Sequence, residues 1–74
     1  MFRYVGGWEL HGCVEADLIG SISVLIVARH FARAAVRPHY YTGLSFESYN
    51  EAAGFIERQV ESVTGVGDDG SLQF

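Results

Sequence analysis

Lysine is absent from this chain. All five basic side chains are arginines, set against nine aspartates and glutamates in 74 residues, for a net charge of −4. The missing lysine points to a G+C-rich coding sequence more than to a function. The acidic balance argues against a general nucleic-acid binder, which would carry a basic excess. It fits better with an acidic surface that occupies a basic site on a partner.

Cysteine occurs once, at Cys13. An internal disulfide is therefore excluded, and a reducing, cytoplasmic location is the expectation. No apolar run is long enough for a membrane span. The longest, residues 18–28, includes Gly20, Ser21 and Ser23, whereas a span needs about 20 apolar residues. The N-terminus lacks the apolar region and cleavage site of a signal peptide. No glycine-rich loop precedes a helix, so no phosphate cradle is expected; Gly65-Val66-Gly67 follows one instead. The carboxylates suggest no acid–base pair.

What remains is a chain with 49 % hydrophobic residues, enough for a compact core. At this length a domain buries only about 60 % of its unfolded surface and is marginal alone. One domain is expected over residues 1–65, followed by a flexible tail or short edge strand over 66–74.

Phe2 to Val5 reads as a strand, and Gly6-Gly7 as a two-residue hairpin turn. Trp8 to Ala16 alternates. Trp8, Leu10, Val14 and Ala16 point one way; Glu9, His11, Cys13 and Glu15 point the other. Gly12 falls on the apolar face, where it would let a helix approach closely.

The segment from Asp17 to Arg37 reads as the central helix. Asp17 is a candidate N-cap, and Pro38 a terminator. Val24, Val27, Phe31, Ala34 and Ala35 share a helical face, and Arg29, Arg33 and Arg37 recur opposite it. The first half is ambiguous. Ile22, Val24, Ile26 and Val27 are β-branched and favour strands, and Gly20 weakens a helix by roughly 1 kcal/mol. Length favours the helix, because a short amphipathic half is unstable alone.

A further strand is expected from about His39 to Phe46, with Gly43 at a bend. Ser48 and Glu51 form a capping box. Tyr49, Ala52, Ala53, Ile56, Val60 and Val63 then line one face of a second helix, with Gly65 as a left-handed cap. The expected fold is α+β. Two helices pack on one face of a three- or four-stranded, mostly antiparallel sheet, in the order β(β)αβα with an optional C-terminal strand.

No residue is assigned to catalysis, and no cofactor is implied. Glu9, His11, Cys13 and Glu15 share a strand face. Zinc accepts such atoms, but His30 or His39 would have to complete the site, and no metal is expected. Two surfaces stand out. The basic-aromatic one comprises Arg29, Arg33, Arg37, His39, Tyr40 and Tyr41. The acidic one comprises Glu57, Glu61, Asp68 and Asp69.

The function read from this layout is non-enzymatic: a small protein that binds another protein by occupying its surface, with the acidic residues meeting a basic nucleic-acid-binding site. Phage-encoded inhibitors of nucleic-acid-handling complexes, anti-CRISPR proteins among them, share this composition. One alternative is a nucleic-acid-binding module built on Arg29, Arg33 and Arg37, which the net charge disfavours. The other is a homo-oligomeric subunit, at its simplest a homodimer. No membrane role is expected.

Overall fold

The computed structural model describes all 74 residues. Its main element is a four-stranded antiparallel sheet in the order β1-β2-β3-β4. The strands are β1 (Phe2–Val5), β2 (Trp8–Ala16), β3 (Ile22–His30) and β4 (Val36–Tyr40). A single helix, α1 (Tyr49–Ser62), lies on one face, and β5 (Gly65–Val66) pairs with β6 (Leu72–Gln73) in a small separate hairpin.

The first turn is as the sequence reads. Gly6 and Gly7 have φ of 55° and 86°, the left-handed pair that a two-residue turn between twisted strands requires. It sets the register Val5↔Trp8 to Phe2↔His11.

The central segment corrects the reading. Residues 22–30 form a strand, so the α+β class holds with one helix instead of two. Asp17 caps a turn, not a helix. Its Oδ1 accepts from the backbone N–H of Ile19 at 3.0 Å and of Ser21 at 2.9 Å. Gly20 closes the turn with φ of 87°. The β-branched residues then take the extended form in which their side chains are least crowded. All nine residues of β3 pair with β2, from Ala16↔Ile22 to Trp8↔His30. Period two replaces period 3.6: Val24, Ile26 and Ala28 are buried beneath the helix. Asp17→Ala is expected to cost about 0.5–2 kcal/mol, the range for losing a side-chain cap of backbone donors. Chemical denaturation should show it as a lower midpoint at unchanged slope.

Pro38 does not end a helix; it lies inside β4, which runs from Val36 to Tyr40 rather than from His39 to Phe46. Tyr41 N–H donates to Val24, and Ala35 accepts from His30. Odd-numbered residues of this segment therefore bond to β3, and the position where proline lacks an N–H faces away from the sheet. Edge strands tolerate proline there, and it blocks further pairing. Gly43 does mark a bend, with φ of 75°.

Helix α1 starts where the sequence places it. Ser48 Oγ accepts from Glu51 N–H at 3.1 Å, and the Glu51 carboxylate reaches back to Glu47 N–H at 3.1 Å. Ala52, Ile56, Val60 and Val63 are buried against Trp8, Leu10, Val24, Ile26 and Ala28. Tyr49 stays exposed. Gly12 is where the layers come closest. A Cβ built there would lie 3.1 Å from Val60 Cγ2 and 3.3 Å from Ile56 Cγ1.

The end of α1 differs from expectation. Gly65 is not a left-handed cap; it belongs to β5. The last carbonyls are taken by Arg3 of β1. Its Nη1 donates to the oxygens of Val60, Glu61 and Val63 at 2.9, 3.1 and 2.7 Å. The cation also opposes the negative end of the helix dipole.

Beyond the helix the chain is ordered by pairing and by two ties to the rest of the fold. Arg33 Nη2 donates to the Asp68 oxygen at 3.1 Å, and its guanidinium lies 5.8 Å above the Trp8 ring. His39 Nε2 donates to the Gly70 oxygen at 2.8 Å.

Candidate functional site

Alternation along four strands makes two faces, and one helix covers one of them. The other face is open. It carries Phe2 and Tyr4 from β1, Glu9, His11 and Cys13 from β2, Leu25, Val27 and Arg29 from β3, and Val36, Pro38 and Tyr40 from β4, as the register dictates. Phe31 extends it, since its N–H donates to Gly7 just past the end of β3.

This face is more apolar than a solvated sheet surface should be. Phe2, Tyr4, Phe31, Val36 and Tyr40 each leave between 48 % and 59 % of their surface in water. Four of the five are aromatic. At about half exposure each, they present on the order of 500 Å² of apolar surface. The largest apolar patch on a typical monomer is about this size and is often functional; here it is divided between the β1 and β4 sides by Glu9, His11 and Arg29.

The rings are organised. Phe31, Tyr4, Phe2 and His11 form a continuous row with successive centroids 4.9, 4.7 and 4.9 Å apart. Beside them, Glu9 bonds His11 Nε2 at 3.2 Å and approaches Arg29 Nη1 at 3.9 Å. Leu25 is buried although no helix covers it, and it stands outside the core cluster. Cys13 and Tyr40 are its register partners on either side.

The basic-aromatic set is dispersed, because it rested on a helix that does not form. Arg29 and Tyr40 lie on the open face. Arg37, His39 and Tyr41 lie on the inner side, and Arg33 sits in the β3–β4 loop. Tyr41 is tied inward. Its hydroxyl donates to Gln59 Oε1 at 3.0 Å, its ring packs edge-on to Phe55, and burial raises its phenol above the ordinary value.

The acidic set is also divided. Glu57 and Glu61 project from the solvent side of α1. Asp68 and Asp69 occupy the β5–β6 turn beside Arg33 and Arg37. The Asp69 carboxylate accepts from the Ser71 hydroxyl and from its N–H, bonds that hold its pKa below the usual value. The Asp69 carboxylate is thus engaged within the chain, whereas Asp68 is held only through its backbone oxygen.

Glu9, His11 and Cys13 do share a face, but His30 and His39 are on the other side of the sheet. His30 meets Trp8 edge-on and His39 holds Gly70. No three metal-binding side chains converge. No helix is long and apolar enough to cross a membrane.

The residues missed from sequence are Phe2, Tyr4, Leu25, Val27, Phe31 and Val36. The signal was present: period two in β1 aligns Phe2 with Tyr4, and period two from Ser23 aligns Leu25, Val27 and Arg29. The helix reading also includes Leu18 and Ile19. They form the tip of the β2–β3 turn, at 106 % and 86 % exposure. No protein-family model, no curated protein and no solved structure matches the chain.

Proposed function

We propose that the chain is a non-enzymatic protein-binding module that works through the open face of its sheet. The observation that carries this reading is the ordered row of half-exposed aromatic rings on that face. Aromatic residues and arginine dominate binding energy in protein interfaces, where they fill desolvated pockets. Here they stand on strands, so little side-chain and backbone freedom remains to be lost on contact.

Rings on a sheet can also stack nucleic-acid bases. Binding a strand needs a positive groove along its phosphates. This face offers Arg29 against Glu9 and Glu15, and the whole chain is acidic. Protein is the better fit. The role first assigned to Glu57 and Glu61 becomes secondary to this face.

A photoreactive phenylalanine analogue tests it. Placed at Phe31 or Tyr40 in cells making the protein, it is expected to give adducts of discrete mass with another polypeptide. The same analogue at Tyr49, exposed on the helix side, should give none. No adducts from the sheet face, or equal adducts from Tyr49, would dismiss the reading.

A further inference from the structure

We infer that the occupant of the open sheet face is a second copy of this chain, docked face to face about a two-fold axis. This rests on the protein-binding reading above and names its partner.

Charge comes first. Arg29, Glu9 and His11 meet within the face itself, at 3.9 and 3.2 Å. Opposite signs are thus side by side on it, and the face does not repel its own copy. Glu57 and Glu61 are on the helix side and point away from such an interface, while Glu15 is the one acid left unpaired on the open face, at the far end of β2 from Arg29. A strongly basic or acidic partner surface finds no matching field here. A surface of mixed sign and aromatic character finds its complement in itself, as an isologous interface requires.

Size comes second. Four strands about 4.8 Å apart, the longer ones reaching roughly 30 Å, make a flat face of several hundred Å². With its polar rim it approaches the ~800 Å² that each partner contributes to a standard interface. Two twisted sheets stack about 10 Å apart, and the assembly then has helices outside and sheets inside.

Packing comes third. Leu25 is already 96 % removed from water on a face with no covering layer, at 4 % exposure. It lies mid-strand between half-buried Cys13 and exposed Tyr40. Its own neighbours already cover it, so the area a facing sheet would bury comes from Phe2, Tyr4, Val36 and Tyr40 around it. Growth beyond two copies by strand addition is blocked at the β4 edge by Pro38.

The test is the mass of the purified full chain by light scattering and sedimentation equilibrium, from about 1 to about 500 µM. The expected result is a concentration-dependent shift from 8.2 kDa to twice that mass. Tyr4→Asp and Tyr40→Asp should each raise the dissociation constant at least about 10-fold. Glu57→Gln on the helix should leave it unchanged. Both aspartate variants replace exposed residues, and circular dichroism confirms their fold. Arg29→Glu combined with Glu9→Arg should retain more association than either change alone, compared at equal thermal midpoint because the pair also joins β2 to β3 within one chain.

A chain that stays at 8.2 kDa throughout, or a dimer insensitive to Tyr4 and Tyr40, overturns the inference. If the chain is monomeric while the analogue at Phe31 links it to a different protein, the second copy is wrong and protein binding stands. A monomer with no adducts removes both.

Discussion

Gly12→Val is expected to lower the thermal midpoint by about 10–20 °C. The first added atom already lies 3.0 Å from Met1 Cγ, 3.1 Å from Val60 Cγ2 and 3.3 Å from Ile56 Cγ1. The Met1 side chain is flexible and can move aside. Val60 and Ile56 cannot, because both are almost fully buried between helix and sheet. Two further methyl groups would have to occupy the same space, and α1 would be wedged off the strands. Overpacking of this kind costs typically 1–3 kcal/mol. A domain of this length has about 4–11 kcal/mol of total stability, at roughly 0.05–0.15 per residue. Gly12→Ala is the informative intermediate. Alanine gains roughly 0.5–1 kcal/mol over glycine in a strand, which offsets part of the crowding, so its midpoint should fall between the other two. Thermal melts followed by circular dichroism read the series. A valine variant melting within about 3 °C of the parent would mean that the helix does not sit this close to the sheet.

Arg3→Ala should cost about 2–3 kcal/mol, the upper part of the range for hydrogen bonds to a charged group. One guanidinium nitrogen serves three carbonyls at the end of α1. The last turn contains no basic residue, and Val63 caps it in an extended conformation without a left-handed glycine. Alanine leaves the half-covered Val60 carbonyl with only the long bond from the Val63 N–H, at 3.4 Å, and it removes the cation facing the dipole. At about 4–8 °C per kcal/mol in a domain of this size, the midpoint falls by roughly 10–20 °C. Arg3→Met retains most of the packing and should lose nearly as much as alanine. Arg3→Lys keeps the charge and should recover part. An alanine variant as stable as the parent would show that water replaces the guanidinium at no cost.

Those two residues also mark how far sequence reasoning reached. Gly12 was legible, since its place on the apolar side of an alternating strand predicts a close helix. The Gly6-Gly7 turn and the Ser48 cap were legible for the same reason: each signal is complete within a few residues. Arg3 was not, because its acceptors are 57 to 60 positions away. The central segment failed for a different reason. Arg29, Arg33 and Arg37 recur every four residues, and four is both close to one helical turn and twice the strand period. Such a repeat cannot separate the two structures. The loop between β3 and β4 then breaks even that alignment, leaving Arg29 on the open face and Arg37 on the other. With the helix went the basic stripe. With the strand came the aromatic face, which no single stretch of sequence displays because β1, β3 and β4 each supply part of it.

The order of elements along the chain has a consequence for biosynthesis. All four strands of the main sheet are made by Tyr40, and the only helix that covers them is finished at Ser62. At about 5–20 residues per second, translation needs roughly 1–4 s to span that gap. Throughout it Leu10, Val24 and Ile26 have no roof, while the aromatic side is bare as well. Until residues 49–62 follow the strands out of the ribosome, the sheet is apolar and uncovered on both sides.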